Sequence, residues 1–383
     1  MISLCIDCVK AEQLKRLISE KGELVPECAV CGSNTVLSLN CEDNDFCQLF
    51  KTLIRYHYTE WEYNSHWGGV MGLSELFTED NPILNWRENL DDLNIEEAVL
   101  TLTEKVYEKY DQGVSVFSGF LECGQRTIFS DSLREESSIR LVPIIAGLSK
   151  KNYFLLDNDG KALLVDHEDK ITTLILEGKQ FYRARKGYDS KKHPSRGISA
   201  EPHYSPYSGT QIGAPSPLLV GTGRMNRPGI SFLYLASNRE TAIAEIRPHP
   251  GEYISVGQFK ATRELKVADF SNIDIYNFYK SDKTLDDFVF FINLNKLFSA
   301  KISPDNRNDY AITQFFSDVA RQLGYDGLSF ISSVGKGVNL TIFDPDLFEY
   351  VCGSAEILSV EGLYYQFKDL PKVSSDEEYY GTL

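Results

Sequence analysis

The sequence predicts an α+β protein in which a cysteine-bound module and a helical domain precede a mixed α/β domain. Three observations predict it. Cys5, Cys8, Cys28 and Cys31 form two C-x-x-C knuckles near the start. Phe46, Leu49, Phe50, Leu53 and Ile54, and further on Leu100, Val106 and Tyr107, recur at helical spacing. Beyond residue 179, short apolar runs alternate with turn signals and a capped helix.

The chain of 383 residues is long enough for two or three domains, and its 42% hydrophobic content can bury a sizeable core. A formal net charge of −16 argues against non-specific nucleic-acid binding, so any anionic ligand must be held by local cations. The sequence has no apolar run long enough to span a membrane and no secretory signal pattern, which makes the cytoplasm the expected compartment.

The module occupies residues 1–44. Two C-x-x-C turns can bring four thiolates to one zinc ion and leave no position open for water, so Cys5, Cys8, Cys28 and Cys31 imply a structural zinc. Cys41 and Cys47 are spaced less well for this, and Cys123 and Cys352 read as packing residues. Residues 45–150 form the helical domain, where Trp61, Trp67 and Trp86 read as core. Residues 151–178 carry Asp157-Asn158-Asp159-Gly160, read as the turn of a hairpin joining the halves. The mixed α/β domain spans 179–352. Within it the segment from Lys186 to Pro217 is expected to be either a lid over a substrate pocket or disordered. Residues 353–383 add a strand and an acidic tail.

The chemistry concentrates in Gly223-Arg224-Met225-Asn226-Arg227-Pro228-Gly229, the strand Phe232-Leu233-Tyr234-Leu235-Ala236, and the helix carrying Glu245. A cation, an aromatic ring and a carboxylate in that order suit a ligand with a phosphate, a flat ring and a scissile sugar bond. Ser237 with Glu240 gives a possible capping box that fixes the projection of Glu245, and Thr241 lies one turn earlier on the same side. Arg183 and Arg185 share one face of a strand, so either is a candidate for phosphate. Ser332 precedes a glycine-containing turn whose amides could meet phosphate or ribose, and a one-residue shift of register would present Ser333 instead. No His lies near Ser332 in sequence to serve as its base, which argues against a nucleophile role.

Together with Asp326-Gly327 to Ser332 and the closing Gly337-Val338-Asn339-Leu340-Thr341, these segments resemble the RES domain family from Gln180 to Cys352. Asp309-Tyr310-Ala311-Ile312-Thr313-Gln314 is similar to a helix opening of its longer members, which carry a helical, HEPN-like region ahead of the RES domain. Arg55 and His57 stand too close together for the nuclease motif of true HEPN domains. The resemblance implies a fold related to ADP-ribosyltransferases, NAD as substrate, and a toxin kept in check by a cognate antitoxin or used in antiviral defence. It implies catalytic roles for Glu245, Arg224, Tyr234 and Ser332, with Arg183, Arg185, Ser333 and Asn339 binding substrate. NAD hydrolysis, ADP-ribosyl transfer to a protein or nucleic acid, and an idle RES fold used for binding all remain open at this point. Self-association into a homo-oligomer is also expected.

Overall fold

The computed structural model describes residues 2–25, 27–59, 62, 73–77, 80–86, 92–107, 119–120, 126–127, 131–193, 201–301, 310–364 and 367–370. Strands β1 (Ser3–Cys5), β2 (Glu23–Val25) and β3 (Val36–Asn40) form a small sheet with β3 in the middle, crossed by α1 (Glu12–Lys21). Helices α2 (Asn44–His57) and α3 (Asp92–Tyr107) follow, then the two-residue strands β4 (Gly119–Phe120) and β5 (Arg126–Thr127), and α4 (Leu141–Leu148). Asp43 caps α2 by accepting from the amides of Asp45 and Phe46. Phe46, Leu49, Phe50, Leu53 and Ile54 are all buried, as their spacing requires. On α3 the inward face is Ile95, Ala98, Val99 and Leu102, whereas Leu100 is turned outward. Trp86 is half-buried and donates to the carbonyl of Phe77. Trp61, Trp67 and Cys123 lie outside the described residues.

The expected hairpin over 151–178 is helical instead. Asp157–Val165 forms α5, Glu168–Ile171 forms α6, and a strand begins only at β6 (Thr172–Ile175). Asp157 and Asp159 sit in the first turn of α5, where carboxylates complement the helix dipole. Gly160 makes no turn. A Cβ there would lie 2.7 Å from the ring of Phe315 and 2.9 Å from Val319, so the glycine permits close helix packing.

The remaining strands are β7 (Gln180–Lys186), β8 (Ser190–Lys192), β9 (His203–Ser205), β10 (Leu233–Ala236), β11 (Tyr253–Ala261), β12 (Leu265–Asp269), β13 (Gly327–Ile331), β14 (Val338–Ile342), β15 (Phe348–Tyr350) and β16 (Glu356–Ser359). They are accompanied by α7 (Arg239–Glu245), α8 (Asp282–Ser299) and α9 (Ala311–Gln322). The large sheet runs β15-β11-β7-β10-β14-β13-β12-β6, with β16 also paired to β11. Strands β12 and β13 run parallel and the other ladders of this sheet antiparallel. Gly327 is required at its place, because a Cβ there would meet the carbonyl of Thr341 at 2.4 Å. Asp326 accepts from Arg263 and from the amide of Lys266.

The described residues of the Lys186 to Pro217 segment, 186–193 and 201–217, are held against the large sheet and are not among those lining the main cleft, and 194–200 lie outside the described residues. Strands β8 and β9 pair with each other, Tyr204 stacks on Tyr253 of β11, and Ile212 is fully buried beneath the sheet. One apolar core runs from Leu4, Phe46 and Phe50 through Phe288, Phe291 and Phe316 to Phe343. The amino-terminal elements and the α/β part therefore share a core. Tyr276 donates to Glu20 of α1 across 2.6 Å, Arg16 lies over the Tyr276 ring, and Arg140 bonds the buried Asp287.

Candidate active site

Side chains alternate across a strand, so β7 sends Tyr182 and Ala184 to one face of the sheet and Arg183 and Arg185 to the other. On the first face Ala236 of β10 stands opposite both Tyr182 and Asn339 of β14, and these residues line up across three strands. Helix α7 packs over this face through Ala242 and Ile246. Its cap is Asn238, which accepts from the amide of Thr241, one residue later than the expected Ser237; Ser237 accepts from the amide of Val338. The last residue of α7 is Glu245.

Between α7 and the sheet lies a cleft of about 140 Å³, smaller than the roughly 300–1,000 Å³ usual for small-molecule sites and open to solvent at its mouth. Its floor is Ala184 and Ala236 with Phe330, its roof Ala242 and Ile246, and its polar lining Tyr182, Arg224, Tyr234, Glu245 and Asn339; Arg183 and Leu235 border it from strand positions whose side chains belong to the other face.

The Oε1 of Glu245 accepts twice, from the Oγ of Ser332 at 2.7 Å and from the Nδ2 of Asn339 at 2.6 Å. Ser332 and Asn339 are both buried. Ser332 in turn accepts from the amides of Gly335 and Val334 at 2.9 and 3.3 Å. The amides expected to meet phosphate are thus occupied by the serine's own oxygen. Ser332, not Ser333, faces the carboxylate. Asn339, expected to touch substrate, supports Glu245 as well as lining the cleft. Thr241 is fully buried under the glycine turn, where a Cβ on Gly335 would meet its Oγ1 at 2.7 Å; it does not support Glu245.

Tyr234 stands in the cleft wall with its hydroxyl tied inward, donating to Asn226 at 2.7 Å and accepting from the amide of Met225 at 3.2 Å. Burial pushes its phenol up to about 12. The guanidinium of Arg224 donates to the carbonyl of Phe298 at the end of α8, where a cation also complements the helix dipole. Arg183 is held otherwise than expected. Its Nε and Nη1 donate to the carbonyls of Ile212 and Tyr234 at 2.7 and 2.8 Å, and burial, with Arg185 nearby, pulls it down to about 10. Arg185 bonds the carbonyl of Gln211, lies over the Tyr207 ring and does not line the cleft. The alternation that put both arginines on one strand face turned that face away from α7.

Sequence reasoning gave no role to Tyr182, Asn226 or Phe330. Asn226 lay inside the Gly-Arg stretch, and its near-complete burial is the property that no local pattern reveals.

Residues 190–361 match the family model described as RES domain. The chain carries a RES domain. The match begins after β7, although β7 sits inside the sheet between β11 and β10. Among solved structures, a chain of "Crystal structure of the M.tuberculosis MbcT-MbcA toxin-antitoxin complex" is similar at 13% identity, covering 52% of this chain and 92% of that one, with a TM-score of 0.27. A search of curated proteins finds no match.

Far from the RES cleft, the sulfurs of Cys5, Cys8, Cys28 and Cys31 lie within 4.8 Å of one another, and those of Cys5 and Cys31 are 3.7 Å apart. A tetrahedral thiolate site with arms of roughly 2.3 Å has sulfurs about 3.8 Å apart, so the four cysteines fit a metal ion. Gly32, at φ +64°, turns the second knuckle and donates to the carbonyl of Cys28. Hydrogen bonds from Cys5 and Cys8 hold the Cys28 thiol far below its usual range, while bonding to Cys28 and burial push Cys5 up to about 11. Four thiols packed this closely need a divalent cation among them to ionise together. Cys41 and Cys47 stand outside the four.

Proposed function

We propose that the RES domain cleaves the nicotinamide–ribose bond of NAD. The observation that carries this reading is Glu245, held by Ser332 and Asn339 in the wall of a cleft that also contains Arg224 and two tyrosines. Arg224 meets the pyrophosphate, whose oxygens suit a guanidinium fork. The alanine floor, flanked by Tyr182 and Tyr234, receives the flat nicotinamide ring. The bond between ribose C1′ and the ring nitrogen breaks with its electrons passing to the ring, which leaves as neutral nicotinamide. The carboxylate of Glu245 stabilises the oxocarbenium-like ribose and takes a proton from the attacking water. The products are ADP-ribose, nicotinamide and a proton.

In this reading the four-cysteine corner holds zinc, which supplies rigidity and no chemistry to the cleft. A free NAD hydrolase would deplete its own cell, so the protein acts as a toxin or defence effector restrained by a partner antitoxin.

The test is incubation of the full chain with NAD and chromatography of the products. Equal amounts of nicotinamide and free ADP-ribose support hydrolysis. Nicotinamide without free ADP-ribose would identify transfer to an acceptor, and unchanged NAD would overturn the reading.

A further inference from the structure

The Tyr310 to Gln314 motif at the start of α9 is remote from the cleft in sequence and serves no purpose in the chemistry above. Its side chains nonetheless go to the loop that carries Arg224. The Nε2 of Gln314 donates to the carbonyls of Gly223 and Asn226 at 2.8 and 3.0 Å. The Oγ1 of Thr313 bonds the carbonyl of Arg224 itself and shares that proton with the carbonyl of Tyr310. Thr313 is fully buried and Gln314 nearly so.

Three carbonyls within four loop residues are thus satisfied by two neighbouring side chains of one helix. The other side of the loop is closed by Asn226, whose Oδ1 accepts from Tyr234 and whose Nδ2 donates to the carbonyls of Gly221 and Arg227. Gly223 makes this closure possible, because a Cβ there would lie 2.1 Å from the Oδ1 of Asn226. A buried carbonyl left unpaired costs more than a paired one returns, so this network admits one loop conformation. In it Arg224 is gripped at both ends, its carbonyl by Thr313 and its guanidinium by the carbonyl of Phe298.

We propose that Thr313 and Gln314 are positioning residues whose hydrogen bonds to the 223–226 loop hold Arg224 in the cleft wall for an anionic substrate. The inference rests on the NAD reading for its kinetic consequence but not for its structural one. Both bonds run to main-chain atoms, so the device fixes the backbone, and the guanidinium N–H groups other than the one given to Phe298 are left to meet the ligand. Asn226 and Tyr234 complete the frame.

The experiment uses full-length Gln314→Leu and, as a variant nearly isosteric with the native residue, Thr313→Val. Amide hydrogen exchange is followed across the chain, and NAD turnover is measured beside it. Exchange at 223–226 is expected to rise about tenfold in either variant while the strands of the large sheet keep their protection. The KM for NAD should rise about tenfold with kcat changed less than about threefold, because positioning of a binding cation acts on ground state and transition state alike. In an Arg224→Ala background, Gln314→Leu should add nothing further to KM. Unchanged loop exchange, a uniform loss of protection, or a fall in kcat alone would overturn the proposal. Loss of loop protection in a protein that never consumes NAD would overturn the functional reading and leave the positioning role standing.

Discussion

The Nδ2 of Asn339 donates to the Oε1 of Glu245 across 2.6 Å, joining the middle of the large sheet to the last residue of α7. The same oxygen receives the hydroxyl of Ser332. A carboxylate at a helix end would otherwise rotate freely, and two donors on one oxygen fix the direction of the other.

Replacing Glu245 by Gln preserves an oxygen for both donors and removes the charge. The fold should survive, as read by circular dichroism and thermal unfolding, and NAD turnover should drop by about a hundredfold or more. Ser332→Ala and Asn339→Ala each remove one support, and turnover should fall by about tenfold. Wild-type rates in the Gln variant would remove Glu245 from the mechanism.

The cysteine corner makes a separate claim. Elemental analysis should find one zinc per chain, and the double replacement Cys5→Ser, Cys28→Ser should abolish it. The midpoint of thermal unfolding should then drop by about 10 °C or more, since the metal's binding energy stabilises the folded state. Full metal retention in the double variant would place the ion elsewhere.

A protein beginning at Lys151 would lose α1, α2, α3 and α4 together. Phe288, which meets Tyr56 with ring centroids 5.9 Å apart, would be uncovered, and the buried Asp287 would lose Arg140. Exposed apolar surface on that scale drives aggregation, so the shortened chain should be insoluble or scatter light as large particles. A soluble, monodisperse product would show that the RES part carries a complete core of its own.

His57 gives a pH dependence. Burial, with Arg134 nearby, lowers its imidazole from 6.5 to about 4 in the folded chain. Between these values the unfolded chain binds the extra proton, so this group's contribution to stability is present above about 6.5 and is lost as pH falls toward 4. Denaturant midpoints for His57→Gln should decline less steeply across that window than those of the native protein. Parallel curves would contradict the assignment.

How far the sequence could be read depended on the range of the interactions involved. The knuckles, the buried face of α2 and the order Arg224, Tyr234, Glu245 are set by local spacing, and they were legible. Gly160 was misread because the same residue serves a turn and a close helix contact, and only Phe315, far along the chain, distinguishes them. Arg185 was placed on the correct strand face, but which face α7 would cover depends on the pairing of β7 with β10 and β11. The duty of Gln314 was invisible for the same reason, since its partners lie about ninety positions away.

The contact at Gly160 has a further reach. Phe315, which leaves no room for a methyl group on α5, directly follows Gln314 on α9. A Gly160→Ala change would force Phe315 or Val319 aside on the helix that also carries Gln314, at a position with no view of the cleft. The contact between α5 and α9 thus has no room for one more carbon atom.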